Sequence, residues 1–289
     1  MADARSIKRR IKTAKNIAQI TQAMEMVAAS KMRRAQEQTI MSRPYSTNLN
    51  LAVKEIAKKV ETKKHKYLNT LEGNNTLVIL IGPGKGLCGS LISNLQREIF
   101  TFQDISKKNI SCIAVGRKAK DITIRFGLDL IAEFSVGLNQ PTYDVVIPMA
   151  KIISEEYLSG KYQDVYVVFT EFINTLTQKP EVKKLLPIEK EEEEKEIVSN
   201  VFSEYLFEPS TDSVLEELFP HYIEIQLYQL LLEAYASEQS ARMMAMKNAT
   251  DNAKDIMDEL TLSYNKIRQS MITNEIADIA TASMVIGVN

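Results

Sequence analysis

Residues 221–286 contain neither glycine nor proline, and this uninterrupted span constrains the fold more than any other feature of the chain. A helix rises about 1.5 Å per residue, so the span predicts a helix of roughly 100 Å, too long for a compact domain to bury. Its small and apolar side chains recur about every 3.75 residues, which predicts an almost straight helix that a partner helix can approach closely. The stripe consists of Ala241, Ala245, Ala249, Ala253, Ile256, Leu260, Tyr264, Ile267 and Met271. The buried centre of a helical bundle is the alternative, although the chain offers no third or fourth long helix to complete one.

The N-terminal segment, residues 1–72, also lacks glycine and predicts a second long helix. From Ile7 to Ala35 its apolar and small residues recur about every 3.5 residues, the period of a coiled-coil seam. Pro44 is expected to kink this helix rather than end it, because the pattern resumes at Leu51. Residues 1–72 are therefore assigned to an N-terminal coiled-coil helix and linker, and residues 209–289 to a C-terminal coiled-coil helix.

Nine of the ten glycines lie between Gly73 and Gly160, where strand-like and helix-like segments alternate. The strand-like runs are 76–82, 110–115, 128–134 and 164–172, and the helix-like segments are 87–102, 117–125 and 141–158. This alternation predicts a central α/β domain over 73–208 with a mostly parallel sheet covered by helices. The stretch that begins at Gln178 is interpreted as an irregular edge that leads to a solvated acidic loop at 189–196.

Gly84, Gly86 and Gly89 spell G-x-G-x-x-G between the first strand and the first helix of this domain, as in a dinucleotide-binding turn. The acidic residue that such a site needs after its second strand is replaced by Arg117 and Lys118, which leaves an NADP site open. The phosphate-loop pattern fails because Ser90 stands where a lysine is required. No histidine lies near Cys88 in sequence, so the case for catalysis is weak.

Charge and hydropathy restrict the binding partners. Residues 1–34 carry nine Lys and Arg against Asp3 and Glu25, which suits phosphates, anionic lipid or an acidic protein, or simply a solvated face. Residues 1–44 contain no aromatic side chain that could stack on a base, so nucleic acid is not expected as a partner.

No apolar run approaches the ~20 residues of a membrane helix, and membrane contact is expected only through partners. The two cysteines, Cys88 and Cys112, indicate buried free thiols in a reducing compartment, and no cofactor or metal is expected.

Several segments of the chain closely resemble the gamma subunit of F-type ATP synthases, and they occur in the same order. They are RRIKTAKNIAQITQAMEMVAASKMRRAQ (9–36), SRPY (42–45), KGLCGSL (85–91), FINTLTQKP (172–180) and the long block from Ala236 to Ile279. The resemblance implies a non-catalytic rotor shaft, an antiparallel coiled coil of the terminal helices with a Rossmann-like domain at its foot. Its implied partners are the alpha and beta subunits of the catalytic head, the epsilon subunit and the c-ring of the membrane sector.

The same resemblance implies where the chain contacts its partners. Contacts with the catalytic ring fall on Met24, Arg242, Gln269 and Thr273, with Met24 roughly level with Arg242. Beyond the end of the N-terminal helix, the tip carries no Lys or Arg from Ile272 onward and is expected to sit in an apolar sleeve. The apolar residues of that tip are Ile272, Ile276, Ile279, Met284, Val285 and Ile286. The expected location is peripheral, at the cytoplasmic face of a bacterial membrane, with protons or sodium as the coupling ion.

Two alternatives remain open from the sequence. One keeps the fold and places the shaft in a specialised rotary-ATPase-like complex with different partners. The other, from a different functional class, is an NADP-binding oxidoreductase domain with helical oligomerisation arms.

Overall fold

A computed structural model of the chain describes residues 2–59, 65–69, 73–106, 108–135, 140–188 and 211–286. These residues form two compact units. The helical unit combines Met1–Ala28 with Met243–Asn289, and the sheet unit is Ala29–Arg242. The acidic run 189–196 lies outside the described residues.

The helices and strands alternate in the predicted order. They are α1 (Ala2–Lys59), β1 (Asn75–Ile81), α2 (Leu91–Ser106), β2 (Asn109–Val115), α3 (Arg117–Arg125), β3 (Asp129–Phe134), α4 (Val146–Leu158), β4 (Asp164–Phe172), β5 (Gln178–Leu186) and α5 (Thr211–Ile286). Both long helices contain a proline, Pro44 in α1 and Pro220 in α5, and both continue beyond it. The C-terminal helix therefore begins ten residues before the proline-free span that predicted it.

The strands form one sheet in the order β3-β2-β1-β4-β5, and all neighbouring pairs except β4 and β5 are parallel. Alternate residues of β1 point to opposite faces, and each face has its own core. Val78 and Leu80 pack with the side chains of α2 and α3. Leu77 and Ile79 pack in the larger core, which includes residues of α4, α1 and α5. The predicted fold class, a mostly parallel α/β domain with long terminal helices, is confirmed.

The interpretation of residues from Gln178 onward as irregular was wrong. They form β5, which pairs antiparallel with β4 and places Pro180 opposite Thr170. Proline lacks the N–H that a central strand donates to its neighbour, so it disfavours a strand at any position but an edge. The position of β5 at the end of the strand order resolves the conflict, because an edge strand needs hydrogen bonds on one side only.

Within the sheet unit, α1 and α5 run antiparallel, as predicted. The Ser42 hydroxyl donates to Oε1 of Gln229 at 2.7 Å, and the Tyr222 hydroxyl donates to Oδ1 of Asn50 at 3.1 Å. Residue numbers thus rise along α1 while they fall along α5. Small residues permit the close approach of the helices, since Ala35 is fully buried in a cluster with Tyr235 and Ala236.

The helical unit has the same antiparallel arrangement. The hydroxyls of Thr21 and Thr250 lie 2.7 Å apart. Alanines close to them in the sequence are buried on both helices, Ala14 on α1 and Ala253 on α5 among them. The register differs by about one helical turn from the expected level of Met24 with Arg242. The sequence stripe marks the contacting face only in part, since Ala253 is buried whereas Ile256 is 51% exposed, and the buried residues Met246 and Thr250 lie outside it. It also does not fix the axial position of one helix along the other.

Candidate partner-binding surfaces

The C-terminal part of α5 exposes the apolar tip that the sequence predicted. Residues 272–282 are all exposed, and Ile272, Ile276 and Ile279 are 48%, 62% and 70% exposed. Counted back from the contact between Thr21 and Thr250, α1 begins about five turns earlier, so it reaches α5 only near Gln269. The side chains of Met284, Val285 and Ile286 lie outside those described.

The other predicted contact residues of the helical unit differ in their exposure. Gln269 and Thr273 lie on the outside of α5, and the Thr273 hydroxyl donates to the Gln269 carbonyl oxygen at 2.9 Å. Met24 on α1 is partly buried, as befits a residue near the helix seam. An exposed amide and hydroxyl on one helical turn offer hydrogen bonds to a protein partner, whereas Met24 offers an adaptable apolar contact. These roles stay predictions.

Arg242 lies in the sheet unit, and its surroundings were not foreseen. Its guanidinium Nη2 donates to Glu238 at 2.7 Å, to the Lys85 carbonyl oxygen at 3.2 Å and to the Gly86 carbonyl oxygen at 3.4 Å. Only 11% of the side chain is exposed. The residue that was expected to contact the catalytic ring therefore contacts the G-x-G-x-x-G loop of its own chain. From the sequence, only the ion pair with Glu238 could have been predicted, because the two residues are one helical turn apart.

The G-x-G-x-x-G loop makes the tight turn from β1 into α2, and we call residues 82–90 the glycine loop. Gly89 adopts a left-handed conformation (φ 58°), and so does Leu87 (φ 63°), which is unusual for a side chain of that size. Leu87 is 62% exposed, whereas the next residue, Cys88, is buried. Burial raises the pKa of the Cys88 thiol, so the thiol stays protonated and inert.

A close backbone approach in this region involves a different pair of glycines. Gly116 follows β2 with a φ of 91°, and a Cβ there would lie 2.3 Å from the Gly82 carbonyl oxygen. A Cβ on Gly86 would meet nothing within 4 Å. Packing therefore requires a glycine at position 116, outside the G-x-G-x-x-G pattern, and does not require one at position 86, within it. That the loop binds no nucleotide stays a prediction.

The hairpin loop between β4 and β5, residues 173–177, is also attached to α5. The Ser240 hydroxyl donates to the Thr175 carbonyl oxygen at 2.8 Å, and the Gln178 amide lies 3.4 Å from that hydroxyl. The Asn174 side chain accepts from the backbone N–H groups of Leu176 and Thr177, which closes the turn. Leu176 at the tip of the loop is 76% exposed.

His221 belongs to a polar cluster that joins three segments of the sheet unit. Its Nε2 is 2.9 Å from the Tyr45 hydroxyl, and its Nδ1 is 3.4 Å from the Tyr143 hydroxyl and 3.6 Å from Glu224. Burial, followed by the contact with Glu224, raises the pKa of Tyr143. The tyrosine therefore stays protonated and donates to that carboxylate.

The described part of the chain holds no group of three or more His, Cys, Asp or Glu side chains arranged to bind a metal ion. Among the same residues, no helix has the length and apolar character needed to cross a membrane.

Comparison with known proteins identifies the family. The family model described as ATP synthase matches residues 3–284. The ATP synthase gamma chain of Roseiflexus sp. (strain RS-1) is 41% identical over 288 residues and that of Herpetosiphon aurantiacus 43% identical over 295 residues, with 98% of each chain covered in both cases. A chain of the Tetrahymena thermophila mitochondrial ATP synthase central stalk and c-ring is 27% identical with a TM-score of 0.63, covering 80% of this chain and 99% of that one.

A chain of the Euglena gracilis mitochondrial ATP synthase, at 17% identity and a TM-score of 0.67, shares the fold over 99% of this chain and 95% of its own. Both measures of likeness, in sequence and in fold, extend over nearly the full length. The chain belongs to the ATP synthase gamma chain family.

Proposed function

We propose that the chain is the central rotor shaft of an F-type ATP synthase, a non-catalytic subunit that couples rotation of the membrane c-ring to ATP synthesis or hydrolysis in the head. Its partners are the alpha and beta subunits of the head, the epsilon subunit and the c-ring. The bacterial gamma chains that it resembles over their whole length support this role. Neither an oxidoreductase nor a specialised complex is favoured by them. The complex places the chain at the cytoplasmic face of a bacterial membrane.

The exposed apolar tip carries the mechanical part of the proposal. Between Ile272 and Ala282 the only charged residues are Glu275 and Asp278, and three isoleucines are largely exposed. A single helix with such a surface is marginal in water. Each isoleucine side chain contributes on the order of 1.5–3 kcal/mol when buried, so a surrounding partner surface stabilises the tip.

A rotating tip needs a particular kind of surrounding surface. Directional hydrogen bonds and ion pairs would hold a rotor at fixed angles, whereas apolar contact is non-directional. We therefore propose that Ile272, Ile276 and Ile279 turn as a bearing inside an apolar sleeve of the alpha and beta subunits. Met24, Gln269 and Thr273 are proposed to make the more specific contacts with the head below the tip.

A matched pair of substitutions tests the bearing. Ile276→Asp places a charge in the sleeve, whereas Asn274→Asp places the same charge on an exposed polar position of the same turn. We expect Ile276→Asp to weaken assembly with the alpha and beta subunits by at least about tenfold and Asn274→Asp to change it little. Association measured by co-purification and by titration of the purified head would distinguish the variants, and equal weakening would contradict the bearing.

Hydrogen exchange provides a second test of the same surface. In the free subunit, amides beyond about residue 270 are expected to exchange quickly, since a lone helix opens readily. In the assembled complex they should slow markedly. Equal protection in both states would show that the tip packs on its own chain, and the bearing would be wrong.

A further inference from the structure

Arg242 is an unusual cation for the long helix, because its charged guanidinium is almost fully enclosed by protein atoms. The guanidinium lies against the Glu238 carboxylate one turn earlier on α5, and it also donates to two carbonyl oxygens of the glycine loop. A charged donor forms stronger hydrogen bonds than a neutral one, and limited exposure protects these bonds from screening. Glu238 both neutralises the charge and fixes the direction of the planar group.

We propose that Arg242 is a positioning residue, which fastens the glycine loop to α5 so that loop and helix move as one body. The Glu238 carboxylate and the carbonyl oxygens of Lys85 and Gly86 all lie within hydrogen-bond distance of its Nη2 atom. One nitrogen of the side chain therefore joins the loop to the helix.

The glycine loop needs such an anchor because its own conformation is costly. Leu87 sits at a φ of 63°, and a left-handed non-glycine residue costs of order 1–3 kcal/mol unless its surroundings hold it there. The bonds beside Leu87 are long, since the Leu91 N–H reaches the Cys88 carbonyl oxygen at 3.3 Å and the Cys88 sulfur reaches the Lys85 carbonyl oxygen at 3.9 Å. The shorter backbone bonds lie at the two ends of the loop, at Gly82, Pro83 and Ser90. The strained residue lies directly after Gly86, whose carbonyl oxygen Arg242 holds.

The hairpin loop provides an internal comparison. Ser240 holds the carbonyl oxygen of Thr175 from a position two residues before Arg242. The strands β1 and β4 are neighbours, so the loops that follow them emerge at the same edge of the sheet. If each contact acts locally, loss of the Ser240 hydroxyl should leave the glycine loop in place.

The buried thiol of Cys88 reports on the glycine loop, because the side chain becomes reactive only when the loop opens. Cys88 is 1% exposed, and burial raises the pKa of its thiol. The second cysteine, Cys112, lies in the interior strand β2 with no exposed surface, and burial raises its pKa to about 11. Reaction of Cys112 therefore reports opening of the whole sheet unit, and the difference between the two cysteines isolates the loop.

The experiment measures the rate at which each cysteine of the full-length chain reacts with a disulfide reagent under native conditions. We expect Arg242→Gln to raise the Cys88 rate by at least about tenfold while the Cys112 rate stays unchanged. Arg242→Lys keeps the charge but lacks the planar guanidinium group, so it should give a smaller increase in the Cys88 rate. Ser240→Ala and Lys247→Gln, the latter an exposed cation on the same helix, should leave Cys88 as slow as in the parent chain.

An unchanged Cys88 rate in Arg242→Gln would overturn the proposal, because the loop would then be held by other contacts. A parallel rise at Cys112 would also overturn it, provided that Arg242→Lys behaves in the same way, because Arg242 would then stabilise the whole unit. Selective opening in the lysine variant would uphold the proposal even if the glutamine variant failed to fold. These measurements use the chain alone, so they are independent of the assembly tests of the proposed function.

Discussion

The hydroxyl oxygens of Thr21 and Thr250 lie 2.7 Å apart within the helical unit. Thr250 is buried, and its hydroxyl also lies 2.9 Å from the Met246 carbonyl oxygen of the preceding turn. One hydroxyl donates to the other, and the acceptor can donate to its own helix. This arrangement places a polar pair within a seam of alanines, where it fixes the sliding of one helix along the other.

Replacing Thr250 by valine should therefore lower the free energy of unfolding by about 1 kcal/mol, the usual net value of one hydrogen bond. Valine keeps the shape of threonine, so the loss isolates the hydroxyl. Thr261→Val on the exposed face of the same helix is the control and should be nearly neutral. Denaturant titration of both variants measures the difference, and equal effects would show that the buried hydroxyl does not stabilise the pair.

Ala35→Leu should destabilise the sheet unit by about 1–3 kcal/mol, because Ala35 is fully buried against Tyr235 and Ala236 and a larger side chain would force the two helices apart. Ala23→Leu, at an exposed position of the same helix, should cost almost nothing. Thermal unfolding followed by circular dichroism compares the two. An unchanged melting temperature in Ala35→Leu would contradict close packing of the two helices at Ala35.

Stability should fall as the pH rises from about 10 to 12. Burial raises the pKa of Tyr222 to about 12, above the value near 10 of an exposed tyrosine. In this range the unfolded chain has lost the phenolic proton while the folded chain keeps it, so higher pH favours unfolding. The stabilisation is complete below pH 10 and is lost as the pH approaches 12, with a slope of up to about 1.4 kcal/mol per pH unit.

Tyr222→Phe removes this titration, at the cost of the hydrogen bond to Asn50. The variant should thus be about 1 kcal/mol less stable at neutral pH but should lose stability less steeply above pH 10. Urea midpoints measured from pH 8 to 12 test the difference in slope. Parallel curves for the two proteins would show that Tyr222 does not contribute.

Gly116→Ala should lower the free energy of unfolding by at least about 2 kcal/mol, because the new Cβ would meet the Gly82 carbonyl oxygen in a backbone conformation that alanine adopts poorly. Gly86→Ala is the matched control, since its Cβ would meet nothing, and it should be nearly neutral. Urea denaturation separates the two predictions. A larger effect at Gly86 would show that the G-x-G-x-x-G pattern, rather than the contact between loops, carries the constraint.

The sequence by itself determined the elements whose causes are local. The absence of glycine and proline from residues 221–286 favours an unbroken helix as far as Ile286, because backbone hydrogen bonds between neighbouring turns need no distant partner. Apolar runs between glycines likewise locate β1 and β2 to within a residue, since a buried parallel strand is apolar on both faces. The exposure of Ile276 also follows from local composition and the lengths of the two helices.

Only the tertiary structure decided features that depend on residues far apart in the chain. Pro180 argues against a strand until the strand order places it at an edge. Arg242 looks solvated until folding brings the carbonyl oxygens of Lys85 and Gly86 to its guanidinium. The register that pairs Thr21 with Thr250 could not be predicted from a stripe of small side chains. Such a stripe indicates roughly which side of a helix is packed, whereas the axial position of the helix depends on a few polar contacts.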